Sequence, residues 1–186
     1  MMLTHYIVKQ KTELVTGEFD GFGKLCTRVI EGNMPLLVDL TPNKVLIESI
    51  NYYGNNLKGA IEGAKSILGN IHLCPFMVCQ ELDICLFPHK SSVHHDCIWF
   101  NHEHVLNTRS QGRYTIVELR NGNSLKLKTR QASFNSKKQK AGDLRRILTE
   151  RVLSGGNLDY VASKQYGICK ETGKLVFDGS LIKNKQ

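Results

Sequence analysis

Hydrophobic positions in the first forty residues fall in short runs, not in helical stripes. "HYIVKQ", "KLCTRVI" and "MPLLVDL" are β-branched or aliphatic segments set off by "GEFDGFG" and "EGN", and they predict strands joined by glycine-bearing turns. A helix should begin at Thr41, a capping residue followed by Pro42 at the first helical position. In "NNLKGAIEGAKSIL" the spacing of Leu57, Ala60, Ile61, Ala64, Ile67 and Leu68 gives one apolar face, so an amphipathic helix should start after Asn55 or Asn56. Gly59 and Gly63 interrupt it at a cost in propensity, which would suit the close approach of another element.

Short apolar runs return in residues 70–92, broken by Pro75 and Pro88, and "CIWFNHEHVL" predicts a further strand. The stretch "RSQGRYTIVELRNGNSLKLKTRQ", residues 109–131, predicts a β-hairpin, because Asn-Gly suits the two positive-φ positions of a type I′ turn. A two-residue loop at Asn121-Gly122 sets Arg120 opposite Asn123, Glu118 opposite Leu125, Ile116 opposite Leu127 and Tyr114 opposite Thr129. Alternation then turns Tyr114, Ile116, Leu125 and Leu127 toward a core and Arg113, Lys126, Lys128 and Arg130 away from it. "SKKQKAGDLRRILTERVLSGG" reads as helical in its second half. Asp143 is the expected cap, Leu144, Ile147, Leu148 and Val152 the apolar stripe, and Gly155-Gly156 the stop. Beyond it, "NLDYVASKQYG" suits a short helix and "KLVFDGSLI" a last hairpin.

These elements predict an α+β fold: a β-rich single domain with an antiparallel sheet and hairpins, an amphipathic helix before the main sheet and a basic helix after it. The expected organisation is an N-terminal β-rich segment (1–48) packed on a core (49–153), with a C-terminal appendage (154–186). Internal repeats and low-complexity segments are absent from the sequence.

Charge changes this picture more than composition does. Apolar residues make up 41% of the 186, and charged residues 23%, as in ordinary packed proteins. The net charge of +8 is local: residues 101–151 hold twelve bases against four acids, whereas residues 1–100 hold eight against ten. A single-sign segment of this kind is the electrostatic footprint of a nucleic-acid or anionic-membrane surface. Like charges across a β-ladder destabilise it, so the cations on one hairpin face suggest a polyanionic partner; a solvated, lysine-guarded sheet edge is the plainer alternative. Lys137, Lys138 and Lys140, placed at a helix start, would oppose the macrodipole, and phosphate oxygens there would relieve the conflict. The candidate contacts are therefore Arg109, Arg113, Lys126, Lys128 and Arg130, with Lys137, Lys138 and Lys140 positioning a phosphate backbone.

Other chemistries find little support. The six cysteines are scattered through apolar runs, which suits reduced, buried thiols of a cytoplasmic protein. No run reaches the roughly 18 apolar residues of a membrane span, and the N-terminus lacks the pattern of a secretory signal. His89, His94, His95, His102 and His104 lie near Cys85, Asp96 and Cys97 in the sequence, but their spacing fits no tetrahedral zinc pattern; on a strand, His102 and His104 would share a face. No metal or other cofactor is expected. The sequence contains no GxSxG, P-loop or GxGxxG motif, and no catalytic residue is assigned. Trp99 and Phe100 could stack on single-stranded bases, but in "CIWF" they are better read as alternating between core and surface.

Between about Ile50 and Val152 the chain resembles the ComK family, competence transcription factors of low-GC Gram-positive bacteria. The residues that carry the resemblance are Tyr53-Gly54 and the glycine-lysine helix after it, Phe87-Pro88, "SS", "CIWFNHEHV", "NGNSLKL", Ser133-Phe134 and Gln139, in that order. It implies that 49–153 is a DNA-binding core. It further implies a non-enzymatic activator of DNA-uptake genes that binds A/T-rich duplex DNA, largely through the minor groove, as a homo-oligomer. RNA polymerase and a proteolytic adaptor are further partners so implied, and a membrane is not. The residues leave two other readings open: a metal- or phosphate-dependent nucleic-acid-processing enzyme, and a protein-interaction adaptor with an incidental basic face.

Overall fold

A seven-stranded sheet carries the fold in the computed structural model, which describes residues 2–154, 166–168, 172 and 175–177. From one edge to the other it runs β1 (Met2–Leu3), β4 (Met34–Val38), β3 (Leu25–Glu31), β2 (Thr12–Phe19), β7 (Ile98–Asn101), β6 (Ile84–Pro88) and β5 (Phe76–Cys79). β1 and β4 are parallel, and every other pairing is antiparallel. Between β4 and β5 the chain forms α1 (Pro42–Tyr52) and α2 (Leu57–Leu68). After β7 come a three-stranded sheet and then α3 (Gln131–Leu153), giving the expected α+β class with a helix after the main sheet.

Both faces of the large sheet are covered, which explains why its strands read as continuous apolar runs. Val15, Val29, Phe76, Val78 and Trp99 pack with Val45, Leu46 and Ile50 of α1 in one core. Leu14, Cys85, Phe87 and Phe100 point the other way, into a second core with Phe134, Ala141 and Leu144 of α3 and the inner face of the small sheet. Of the stripe expected downstream of Asp143, Leu144 is buried and Leu148 packs against this core, whereas Val152 is exposed.

Several elements differ from the sequence reading. "HYIVKQ" joins no ladder. Tyr6 and Val8 are nevertheless buried, and side chains of the α1 region satisfy the backbone there: the Val8 N–H donates to Ser49 Oγ (2.9 Å) and the Tyr53 hydroxyl donates to the Val8 carbonyl (3.1 Å). The central strand β2 went unrecognised because Glu13, Gly17 and Glu18 interrupt its apolar pattern. Gly17 is required by a close approach: a Cβ there would overlap the His95 carbonyl. The glycines of α2 have no such role. Nothing lies near Gly63, and Gly59 faces only the Asn56 side chain that caps the helix by accepting from the Gly59 N–H (2.7 Å).

The chain divides into two compact units, Met1–Glu150 and Arg151–Gln186. In the second, β11 (Tyr166–Ile168) and β12 (Leu175–Phe177) pair antiparallel. The short helix expected over 157–167 lies outside the described residues apart from Tyr166 and Gly167, which are in β11. Leu175–Phe177 is a strand as expected, with β11 as its described partner; residues 178–182, the other arm of the expected hairpin, lie outside the described residues.

Candidate nucleic-acid interface

The basic segment folds as a meander of β8 (Val105–Gln111), β9 (Tyr114–Leu119) and β10 (Ser124–Leu127), with β9 in the middle. Its first turn was not read from the sequence. Gln111 pairs with Tyr114, leaving Gly112-Arg113 as a two-residue loop with Gly112 at φ +64°, the position where a type II′ turn favours glycine. The signal was Gly-Arg, weaker than the Asn-Gly that follows it.

The Asn-Gly turn exists, with one more residue than expected. The Leu119 N–H donates to the Asn123 carbonyl (2.8 Å) and the Gly122 N–H to the Leu119 carbonyl (3.0 Å). Only Gly122 is left-handed (φ +86°), so the loop is Arg120-Asn121-Gly122, a type I turn closed by a glycine. The Asn121 side chain helps to hold it there, accepting from the Asn123 N–H (2.8 Å) and donating to the Gly32 carbonyl (2.7 Å). The register is therefore shifted by one: Glu118 faces Ser124, Ile116 faces Lys126 and Thr115 faces Leu127. Thr115, Val117 and Leu119 are buried. Tyr114 and Ile116, expected in the core, lie instead on the outer face, because a one-residue slip reverses every side chain of a strand. Leu125 and Leu127 do pack inward, and Lys126 outward, as expected.

The outer face is organised around the row Arg109–Ile116–Lys126. Ile116 separates the two cations. Arg109 Nε lies 3.3 Å from Glu118, and Lys126 Nζ sits 4.6 Å above the Tyr114 ring. These partners relieve much of the like-charge conflict expected from the sequence. Residues 109–114 are all exposed, so the end of the β8–β9 hairpin stands clear of the core on both faces, with Arg113 at its tip. Lys128 and Arg130 are exposed just beyond β10. Arg120 is tied down at the opposite end by Glu103 (2.9 Å).

The helix lysines are placed differently from the expectation. α3 starts at Gln131, twelve residues before the expected Asp143 cap, and the Arg130 carbonyl accepts its first helical bond from Phe134. Lys137, Lys138 and Lys140 therefore lie inside the helix, where the macrodipole no longer opposes them. They also face two directions. Lys138 turns toward β8, with Nζ 3.5 Å from the Leu106 carbonyl. Lys137 points to the opposite flank and donates to the His89 carbonyl (2.8 Å) and to Ser133 Oγ (3.2 Å). Burial holds the pKa of both ammonium groups below the ordinary lysine value. Lys140 shares the Lys137 flank, beside Ser133 and Ser136.

Arg145 carries a second cluster, which no sequence spacing announced. Its side chain is 16% exposed, pairs with Asp83 and Glu103, and donates to His102 Nδ1. It joins α3 to the β5–β6 turn and to residues His102–His104, which form a 3-10 helix and not the strand face expected for His102 and His104. Burial, with Arg145 adding to it, lowers the His102 pKa to about 4, so the ring is a neutral acceptor. His89, also lowered to about 4 by burial, accepts from the Ile98 N–H (2.9 Å). Among the described residues no three His, Cys, Asp or Glu side chains are placed to hold a metal ion. Cys26, Cys74, Cys79, Cys85 and Cys97 are buried free thiols, and burial pushes Cys97 up to about 11. Trp99 and Phe100 are both buried, so neither ring offers a stacking surface.

Ion pairing sorts the cations. Lys11, Lys24, Arg28, Lys58 and Lys90 each lie beside a carboxylate. Of the eight candidate contacts only Arg109 does so among the described residues. Most of the uncompensated charge therefore sits on the small sheet, the residues just beyond it and α3, with Lys9, Lys44 and Lys65 outside them also unpaired among the described residues. The family described as ComK protein matches residues 3–153. The chain belongs to the ComK family. The ComK match takes in β2–β4, which the motif resemblance did not reach. A relative in Bacillus subtilis (strain 168), named "Competence transcription factor", is 28% identical over 131 residues, covering 70% of this ComK-family chain and 68% of that protein. No solved structure matches the chain. No helix among the described residues is long and apolar enough to cross a membrane.

Proposed function

We propose that this ComK-family protein is a competence transcription activator that binds A/T-rich duplex DNA through the outer face and free end of its three-stranded sheet. The observation that carries this reading is the β8–β9 end: six consecutive exposed residues with Arg113 at the tip and Arg109 behind it. A two-stranded ribbon is too broad for a minor groove of about 6 Å, since its strands alone are about 4.8 Å apart before side chains are added. An arginine at its tip is not, and a narrow A/T groove attracts arginine through its enhanced negative potential. Arg113 is therefore the groove contact, and Arg109, Lys126, Lys128 and Arg130 engage phosphates or the groove edge. Lys138 supports β8 more than it contacts DNA. Binding as a homo-oligomer in the cytoplasm, with RNA polymerase and a proteolytic adaptor as further partners, rests on family membership.

Four single variants test the assignment by thermal melting and gel shift. Arg113→Ala and Lys126→Ala should fold within about 0.5 kcal/mol of the parent, as surface changes usually do. Arg113→Ala should weaken binding by about 1–3 kcal/mol and relax the A/T preference; Lys126→Ala should weaken binding about equally on all sequences and make the salt slope shallower by about one unit. Leu125→Ala and Leu127→Ala should destabilise the fold, Leu127→Ala by about 2–5 kcal/mol. Parental DNA binding by both Arg113→Ala and Lys126→Ala would remove the sheet from the interface.

A further inference from the structure

Two hollows of about 410 and 390 Å³ share Ile71, His72 and Leu73 as a common wall, and the second lies on the flank of α3 away from the small sheet. The first opens between α2 and the residues after β6, with Lys65, Ser91 and Ser92 on its rim and Trp99 in its wall. The second is bordered by Ser133, Ser136, Lys137 and Lys140 of α3. No carboxylate lines either hollow, and Lys65 and Lys140 have no acidic partner among the described residues. Elsewhere, by contrast, the basic residues of residues 1–100 are mostly paired. Burial raises the pKa of the Cys74 thiol, and Lys65 and Lys140 both act against that rise, so the two ammonium groups approach the same thiol from two helices. Leu73, in the shared wall, is held in the left-handed region (φ 46°), a conformation that costs energy for a residue other than glycine.

We infer that these joined hollows form a second DNA-contact surface, a cleft that seats the sugar–phosphate strand of the duplex on Lys65, Lys137 and Lys140, with the rim serines as neutral donors. This inference rests on the DNA-binding reading and extends it to a part of the chain outside the basic segment. Its chemistry is that of a polyphosphate strand: fixed positive charge, hydroxyl donors and no competing acid. The charged contacts of the cleft go to phosphates, so they add affinity on every sequence, while the β8–β9 end supplies the A/T preference. With contacts on both flanks of α3, the protein meets DNA on two separate surfaces.

The test uses Lys65→Gln and Lys140→Gln, singly and together, with Lys126→Ala as the reference for the sheet surface; Lys137 is left intact because it also bonds the His89 carbonyl. Each glutamine variant should melt like the parent. At about 0.1 M salt, losing one phosphate contact should weaken binding about eightfold, by the same factor on A/T-rich and G/C-rich duplexes, and make the salt slope shallower by about 0.9. The double variant should show both contributions. Trp99 is the sole tryptophan and lines the cleft, so its emission should change on adding duplex to the parent and to Lys126→Ala, and less for the double variant at equal DNA. If Lys126→Ala weakens binding while the glutamine variants bind with parental affinity and slope, the cleft assignment fails and the sheet interface stands. If the parent binds no duplex, both fail together. If poly-glutamate changes Trp99 emission in a Lys65- and Lys140-dependent way and DNA does not, the cleft is a protein-docking site and the inference is overturned.

Discussion

Phe134→Ala should lower the stability of the fold by about 3–5 kcal/mol, the usual cost of deleting a buried phenylalanine. Phe134 is fully buried, and its ring meets Phe100 edge-on (5.3 Å, 89°) and Phe87 at 5.6 Å. Those partners belong to β7 and β6, so the trio fastens α3 to the large sheet. The same core holds Val117, Leu119 and Leu127 from the small sheet, and Ala141 and Leu144 from further along α3. Removing one ring opens a cavity where three elements meet, and neither sheet can collapse into it without breaking ladder bonds. Domains of this size are stable by only about 5–15 kcal/mol, so the loss would be a large share of the total. Urea unfolding measures it directly. A loss below about 1 kcal/mol would mean that α3 is held by its ion pairs and not by this core.

DNA affinity should fall steeply with salt. The uncompensated cations of the small sheet and α3 can neutralise about five to eight phosphates, which gives a slope of log affinity against log salt near −4 to −7. Between about 50 and 200 mM salt the affinity should then drop by about 10²–10⁴. Fluorescence or filter titrations at four salt concentrations give the slope. A value shallower than about −1 would show that the cations are only a solvated surface. The magnitude discriminates because ion-paired residues do not contribute fully: Arg120 and Arg145 already neutralise carboxylates, and counting them as contacts would overstate the slope.

Much of this arrangement was legible in the residues, and the failures have physical causes. The cap at Asn56, the proline start of α1 and the apolar runs of β3, β4, β5 and β6 are local signals that the tertiary structure left in place. Asn121-Gly122 marked its turn correctly but not its length, because an Asn amide that bonds the Gly32 carbonyl is a long-range contact invisible to a local rule. One residue of loop then moved Tyr114 and Ile116 to the outer face, while Leu125, Lys126 and Leu127 kept the sides read for them. α3 was shortened because its first half, "QASFNSKKQKAG", shows no apolar stripe apart from Phe134 and Ala141; burial of those two residues and their packing on the sheets sustain it. The basic residues were visible as a cluster, but their division was not. Sequence adjacency placed Lys137, Lys138 and Lys140 together, and helical geometry sent Lys138 to one flank and the other two to the cleft. Lys65 stood outside the basic segment and carried no signal until the fold brought it, like Lys140, within reach of Cys74.

Binding of A/T-rich duplex DNA is measured most directly by a gel-shift competition between A/T-rich and G/C-rich duplexes of equal length at one fixed salt concentration. The parent protein should bind the A/T-rich duplex at least about tenfold more tightly, the factor that about 1.4 kcal/mol of groove readout supplies. Equal affinity for the two duplexes, or binding to neither, would contradict that expectation.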